Sequence, residues 1–390
     1  MTEADRVTQI LATVPERLAR SQSPGAAVAV HAKGMLQEIA AGIADIDART
    51  PVTTRTLFGM WSVAKVVTAS VFAVLAAAGK IDLDAPACRY LPELAACGDD
   101  RGHITITQLL CHTSGIDGGA FVDLGDGDDC RQRYVYGLAR VTQLFAPGSA
   151  YGYSNAGYIV LGALAERVTD MTWEDLVQAT ILSPGGLSQT TARGRSGAPG
   201  QVTGAHLPDE NGRLRTAVAQ YPTWRSCAPC GSTSYATAGD LARFGALHLP
   251  GTRLSALLAD SPPSAGRTKA VGLDVLQRPV IPIPGYEYEA RTSCLGWNSR
   301  WWSGVLVLAH DGGAHTFLRV FPGAGMSIAV MVNGPGGPEF AEPLIADLSR
   351  AVTGIRPPQP PAPADSPPDL DLGRYGSPVR RHLRAAAGAR

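Results

Sequence analysis

Lysine is scarce in this chain: of the 34 basic residues, four are Lys and 30 are Arg. Charged residues make up only 17% of the 390 positions, and 34 acidic residues balance the basic ones. A neutral, sparsely charged chain lacks the electrostatic footprint of a nucleic-acid-binding protein and the basic face of a membrane-surface protein. We therefore expect small-molecule partners, with no nucleic acid and no membrane among them.

Long apolar runs and an export signal are also missing. No window reaches the length of a membrane span, and the first 20 residues combine early acidic side chains with amphipathic spacing, unlike a signal peptide. The sequence therefore predicts a cytoplasmic protein.

Cysteine is too sparse and scattered for a disulfide framework, since the seven Cys are odd in number and spread from Cys88 to Cys294. Cys227 and Cys230 form a CxxC without the βαβ context of a redox site, and we interpret them as two loop thiols. No His, Cys and carboxylate cluster has metal-ligand spacing. We expect reduced thiols, no metal and no cofactor.

Strand-like runs lie at the two ends of the chain. Residues 24–32 and 35–43, separated by Lys-Gly, predict a hairpin, and runs at 302–313, 315–323 and 326–334 predict an antiparallel meander. Helical patterns lie between and after them, at 62–79, 105–111, 155–170, 172–181, 237–248 and 339–353. The order predicts an antiparallel sheet built from both chain ends around a helical insertion.

The chain is too long for one compact core, so we expect two lobes. We assign residues 1–58 and 290–355 to an α/β sheet lobe and residues 59–289 to a mainly helical lobe. Residues 356–390 begin with the Pro-rich stretch RPPQPPAPADSPPD and end with several Arg, which predicts an extended linker and a disordered basic tail.

One of the four Lys follows a Ser by three residues, in MWSVAKVVTA at positions 60–69. A helical pattern follows Gly59, so Ser62 should lie in the first turn and Lys65 one turn later on the same face. A Ser hydroxyl becomes a nucleophile when a base takes its proton; a buried Lys can do this, whereas Arg keeps its proton. The free N–H groups of a helix start also make the Ser62 N–H a candidate oxyanion donor. SxxK alone is weak, because the pair is common on solvent-facing helices.

A second motif, YxN, is formed by Tyr153 and Asn155 in GSAYGYSNAGYIVLG, just before a helical pattern. A Tyr near Lys65 can act as a phenolate or relay protons, because an ammonium lowers the pKa of a phenol. On this motif alone, a packed loop Tyr is the simpler interpretation.

A third motif, HxG, lies at the predicted strand end AHDGG. The small residues Gly312 and Gly313 let a substrate lie close to backbone donors, and the Gly313 N–H is the candidate for the second oxyanion donor. His310 is the polar side chain of this strand end.

Together and in this order, the three motifs resemble those of the serine β-lactamase and penicillin-binding-protein superfamily, most closely its class C branch and the family VIII esterases. ITITQLLCHTSGI at 104–116 resembles the LLxHTSG segment of this superfamily, in which His112 has a structural hydrogen-bonding role. GSTSYATAGDLARFGALHL at 231–249 resembles a later helix, and the likeness extends over roughly residues 22–354. It implies a β-lactamase-like α+β fold, with an antiparallel sheet flanked by helices and a largely helical second lobe.

The resemblance also implies roles for the motif residues. Ser62 is the nucleophile, Lys65 its activating base, Tyr153 the general base and acid of acylation and deacylation, and Asn155 a partner of the substrate amide or of Lys65. His310 stands where β-lactamases have the Lys of KTG, and His is cationic only part of the time near neutral pH. An HxG motif at this point is similar to the motif of the esterases, D-aminopeptidases and acyltransferases of the superfamily rather than to that of efficient β-lactamases.

We therefore predict a serine-dependent enzyme that forms a covalent acyl-enzyme from an ester or amide donor and passes the acyl group to a small amine or alcohol. The Arg-, Ala-, Gly- and Pro-rich composition fits a GC-rich bacterial gene, where some β-lactamase-like proteins are natural-product transacylases. Hydrolysis by a D-aminopeptidase-like esterase or amidase, or by a weak β-lactamase, is the nearest alternative. A catalytically inactive binding module remains a third, although such proteins typically lose SxxK or the Tyr.

Overall fold

A computed structural model describes residues 2–119, 122–217, 224–252, 273–313 and 315–358. The predicted tail, from residue 359 onward, lies outside the described residues. The helices are α1 Glu3–Leu11, α2 Val14–Ala19, α3 Ala64–Ala77, α4 Ile106–Leu110, α5 Cys130–Gly137, α6 Asn155–Thr169, α7 Trp173–Val177, α8 Ser183–Gly185, α9 Ala238–Ala246 and α10 Gly337–Thr353. The strands are β1 Gly25–Ala32, β2 Met35–Asp45, β3 Thr50–Pro51, β4 Phe58–Gly59, β5 Thr190–Thr191, β6 Ala205–Pro208, β7 Leu214–Ala217, β8 Tyr235–Ala236, β9 Ile281–Pro282, β10 Thr292–Ser293, β11 Asn298–Trp302, β12 Val305–Gly312, β13 Thr316–Phe321 and β14 Met326–Val332.

The largest sheet takes strands from both ends of the chain, as predicted. Within the described ranges nine strands pair in the order β3-β2-β1-β14-β13-β12-β11-β10-β9. The first hairpin turns at Lys33 and Gly34, which both have positive φ, and the central pairing of β1 with β14 joins the two chain ends in antiparallel register. The α+β class, with an antiparallel sheet flanked by helices, is therefore confirmed.

Side-chain alternation in the central strands builds two cores, one on each face of the sheet. Ala27 and Ala29 of β1 face one core, whereas Val28 and Val30 face the other. The second core is closed by α1 and α10, which pack against each other. The first core contains most of α3 and α6, so the helices that carry Lys65 and Asn155 lie on the opposite face of the sheet from α1 and α10.

The predicted boundary between the lobes at residue 290 falls inside the sheet. Strand β9 pairs with β10, and α9 packs on β1 and β14, although both elements lie within the range assigned to the helical lobe. Two-residue strands such as Ile281–Pro282 are too short to carry a periodic pattern, which is why the sequence did not reveal them. None of the described helices is both long and apolar enough to cross a membrane.

Candidate active site

Ser62 lies in a tight turn that leads into α3. Residues 61–63 form a 3₁₀ turn, and Trp61, just before the Ser, has φ 48°, a value that is uncommon for a bulky residue. The turn is held from two sides: the Met60 N–H donates to Ser234 O at 2.9 Å, and Thr316 Oγ1 donates to Gly59 O at 2.7 Å. The strained backbone is thus fixed where it presents the Ser62 side chain.

Lys65 is fully buried, with no exposed area, on the first turn of α3. Its Nζ donates to Ser62 Oγ at 3.1 Å and to the carbonyl oxygen of Cys230 at 2.9 Å. Among the described residues, no carboxylate forms an ion pair with it. The buried amine is therefore oriented by neutral oxygen atoms and directed at the Ser62 hydroxyl.

Tyr153 reaches the same hydroxyl from the other side. Its OH donates to Ser62 Oγ at 2.8 Å, and Lys65 Nζ lies 4.9 Å from the centre of its ring. The Tyr153 side chain is 43% exposed, so its OH lies at the boundary between the site and solvent. Ser62, Lys65 and Tyr153, which the sequence motifs single out, thus meet at one oxygen atom.

Asn155 is the first residue of α6 and is half-buried. Within the described part of the chain its side chain makes no hydrogen bond, and the Lys65 amine bonds Ser62 and Cys230 instead. Both roles implied for Asn155, contact with a substrate amide and contact with Lys65, stay predictions.

His112 supports Tyr153 from behind. It is buried with φ 62°, its ring centre is 4.4 Å from that of Tyr153, and its Nδ1 accepts a hydrogen bond from the Ser154 N–H at 3.1 Å. Burial, together with the charge of Lys65, lowers the pKa of His112 well below its usual value. The neutral ring can therefore accept the Ser154 N–H, which fixes the backbone next to Tyr153.

His310 is buried and neutral, which corrects the expectation of partial positive charge near neutral pH. Burial, with Lys65 nearby, lowers its pKa to about 4. Its Nδ1 lies 2.9 Å from Gly296 O, and because a carbonyl only accepts, this nitrogen carries the proton of the neutral ring. The His310 side chain therefore carries no positive charge at pH 7.

The end of β12 passes directly against the Ser62 turn. A Cβ added to Gly312 would lie 2.5 Å from Met60 O and 3.2 Å from Ser62 N, so only Gly fits here without a shift. Gly313 follows with φ 55°, in the left-handed region. The Gly312 backbone thus lies against the Ser62 turn, close to the Ser62 nitrogen, and the Gly313 N–H that follows it remains the predicted second oxyanion donor.

Sequence reasoning missed residues 227–231, the segment whose main chain holds the Lys65 amine. The carbonyl of Cys230 accepts from Lys65, and a Cβ on Gly231 (φ 123°) would lie 2.0 Å from Trp61 O. Cys227 and Cys230 are buried free thiols, and the hydrogen bond with Cys230, together with burial, raises the pKa of Cys227. The important atom of the CxxC is thus a main-chain oxygen, which side-chain patterns do not reveal.

A separate pocket of about 630 Å³ lies beside β8. Two of its lining Arg are paired, Arg225 with Glu174 of the same lining and Arg193 with Asp175 outside it, and none of the sequence-predicted site residues lines the pocket. This pocket is therefore distinct from the Ser62 centre. In the described ranges, no group of three or more His, Cys, Asp and Glu side chains is arranged to hold a metal ion.

Comparison with known proteins gives consistent results. The family called Beta-lactamase matches residues 10–352. "Penicillin-binding protein 4" of Amycolatopsis lactamdurans is 33% identical over 359 residues, covering 90% of this chain and 91% of that protein. The crystal structure of SurE with D-Leu is 27% identical with a TM-score of 0.74, covering 95% of this chain and 81% of the other. A D-stereospecific amidohydrolase from Streptomyces sp. is 25% identical with a TM-score of 0.66, covering 89% of this chain and 98% of that one.

Proposed function

Because the chain belongs to the β-lactamase family of serine hydrolases, which includes esterases and amidohydrolases, we propose that it is an acyl-transfer enzyme working through an ester of Ser62. The donor is an ester or amide, and the acyl group passes to a small amine or alcohol. The observation that carries this proposal is the pair of hydrogen bonds that Lys65 and Tyr153 make to Ser62 Oγ, at 3.1 and 2.8 Å.

The distances support one sequence of proton transfers. As Ser62 Oγ attacks the donor carbonyl, its proton passes to Lys65 or Tyr153, and the carbonyl oxygen becomes an oxyanion facing the Ser62 and Gly313 N–H groups. The leaving group takes a proton from the partly exposed Tyr153. An incoming amine then gives its proton to Tyr153 as it attacks the ester, and Ser62 Oγ leaves with a proton from Lys65 or Tyr153, which returns both groups to their starting state.

The neutral His310 separates this activity from that of efficient β-lactamases. A β-lactam carries a carboxylate, and the buried neutral imidazole supplies no charge to bind it. We expect any β-lactam turnover to be slow for that reason.

The donor is proposed to carry a D-configured residue at the carbonyl that reacts. This rests on the two structural relatives whose names specify D-Leu and D-stereospecific hydrolysis, and which share the whole fold with this chain. A natural-product intermediate in the cytoplasm is the proposed source of such a donor.

A stereochemically matched pair of donors tests the proposal. The phenyl esters of N-acetyl-D-leucine and N-acetyl-L-leucine are incubated with the protein, each with and without a small primary amine, and acid and amide products are quantified by mass spectrometry. We expect the D-ester to react at least about tenfold faster and the amide to exceed the acid when amine is present. Acid alone would favour the esterase or amidase, and equal rates for both esters would remove the D-preference. Ser62→Ala is the inactive control.

A further inference from the structure

The middle residue of the HxG motif is an Asp that faces away from the proposed catalytic centre. In the register of β12 with β13, His310 pairs with Leu318, which belongs to the first core with α3 and α6. Asp311 pairs with Phe317, which belongs to the second core, closed by α1 and α10. Successive side chains of a strand point to opposite faces. Asp311 is therefore part of the strand that supplies the oxyanion hole, but its carboxylate lies on the far face of the sheet.

Two buried guanidinium groups hold this carboxylate. Arg319 of β13, whose side chain has 0% exposure, pairs with Asp311 Oδ1, and Arg300 of β11, at 4%, lies 3.1 Å from Oδ2. Burial alone would raise the pKa of Asp311, but Arg319 and Arg300 hold it well below its usual value. The carboxylate thus stays ionised and bridges the strands on both sides of β12.

The bridge is anchored at both ends. Arg319 continues to Glu342 of α10 at 2.9 Å, and Arg300 lies 3.8 Å from Glu289, which also pairs with Arg291. The Glu289 carboxylate accepts the indole N–H of Trp302 at 3.4 Å as well. The chain of charges therefore runs from the sheet edge to the covering helix, with Asp311 at its centre.

The strand end needs such an anchor. β11 pairs with β12 only as far as Ala309, so beyond this residue β12 is paired on one side alone, to β13. The next residues include two Gly, which have the most backbone freedom to lose. His310 Nδ1 holds this segment to Gly296 O at 2.9 Å on one face of the sheet, and Asp311 is the side chain that holds it on the other face.

We propose that Asp311 is a positioning residue, which fixes the end of β12 through Arg300 and Arg319 so that the Gly313 N–H is aimed at the oxyanion. This rests on the proposed acyl-transfer function of Ser62. Asp311 acts on the reaction only through the strand, and makes no contact with substrate.

The test compares Asp311→Asn with Glu342→Gln in the full chain. Each variant removes one carboxylate from Arg319, but Glu342 is on α10 and Arg319 keeps Asp311 as its partner when Glu342 is replaced. We expect Asp311→Asn to lower kcat for an activated ester at least about tenfold with KM within about twofold, since a lost oxyanion donor costs more than this. We expect Glu342→Gln to stay within about twofold of wild type. Rates are measured well below each variant's unfolding temperature.

The affinity for phenylboronic acid distinguishes a positioning role from a purely structural one. The tetrahedral adduct of this compound with Ser62 uses both oxyanion donors, so its affinity depends on where the Gly313 N–H points. Its affinity should fall in Asp311→Asn by the same factor as kcat/KM. If Asp311→Asn does not fold, Asp311→Glu is used instead, because it keeps the charge but adds one methylene between the strand and the carboxylate. We expect this variant to lose about threefold or more in both kcat/KM and the affinity for phenylboronic acid. Equal losses in Asp311→Asn and Glu342→Gln, or an unchanged boronate affinity, would overturn the proposal. A wild type that binds the boronate but turns over no ester would overturn the proposed function instead, and boronate affinity would still report on Asp311.

Discussion

At the residue scale, two side chains reach the same oxygen from different depths. Lys65 is buried and bonded to Ser62 and Cys230, whereas Tyr153 is partly exposed and stacked on His112. The spacing of Ser62 and Lys65 is local, so the sequence could place them together from helix geometry. Tyr153 is 91 positions from Ser62, and only resemblance to a family could bring it to the site.

Replacing Lys65 with Arg should remove the base while keeping a positive charge. Arg does not release its proton, so we expect kcat to fall by about 10²–10⁴-fold. Lys80→Arg, at an exposed position, is the matched control and should retain activity. Steady-state kinetics on an activated ester measures both, and a Lys65→Arg enzyme within tenfold of wild type would contradict the role of base.

Replacing Tyr153 with Phe distinguishes the role of the hydroxyl group from that of the aromatic ring, because Phe keeps only the ring. The stacking on His112 is retained, so we expect an almost unchanged unfolding temperature and a loss of about 10²–10⁴-fold in kcat. Tyr136→Phe, on another exposed Tyr, controls for loss of a phenol. If Tyr153→Phe lost stability and activity together, the Tyr would have a packing role rather than a proton-transfer role.

At the scale of elements, the site is the junction of the α3 turn with the end of β12. Long periodic runs such as β1, β2, β13 and β14 were predictable, because alternation and turn residues mark them in the sequence. The contact between elements was not, because it consists of a Gly against main-chain atoms of Met60 and Ser62.

Gly312→Ala tests this junction. The added methyl would lie within 2.5 Å of Met60 O, so the strand or the turn must move. We expect a loss of about 1–3 kcal/mol in the free energy of unfolding, as overpacking typically causes, and a fall in kcat. Gly323→Ala, in the turn between β13 and β14 with open space around its Cβ, should change neither quantity appreciably. Chemical denaturation and ester kinetics measure both, and a fully active Gly312→Ala would show that the close approach is unnecessary.

At the scale of the whole molecule, three buried neutral histidines couple stability to pH. Burial lowers the pKa of His310 and of His248 to about 4 and that of His112 well below its usual value. Unfolding restores ordinary values near 6.5, so the unfolded chain binds more protons between about pH 4 and 6.5. Their neutral burial therefore stabilises the protein above about pH 6.5, and this contribution is lost progressively as pH falls toward 4.

We expect the free energy of unfolding to decrease from pH 7 to pH 5, by up to about 1.4 kcal/mol per pH unit for each histidine. Urea denaturation at several pH values measures the slope. His248→Gln removes one titrating group that is not among the predicted site residues, and it should make the slope shallower. Stability that is constant or rising toward pH 5 would contradict the buried, neutral state of these rings.

The architecture of the whole chain was predictable to the extent that it depends on strong local patterns. The sheet from both chain ends and the helices α3, α6, α9 and α10 follow such patterns. Strands β9 and β10 are two residues each, and the neutral state of His310 depends on burial by distant segments, so neither is encoded locally. The same holds for the Asp311 bridge, whose partners come from β11 and β13.

The central claim is that Ser62 forms a covalent acyl-enzyme. The most direct measurement is the intact mass of wild type and of Ser62→Ala after mixing with an activated ester and rapid quenching. We expect an increase equal to the mass of the acyl group in wild type alone, on a peptide containing Ser62, and we expect this adduct to disappear faster when a small amine is added. An adduct of equal yield in Ser62→Ala, or ester turnover by that variant at the wild-type rate, would contradict it.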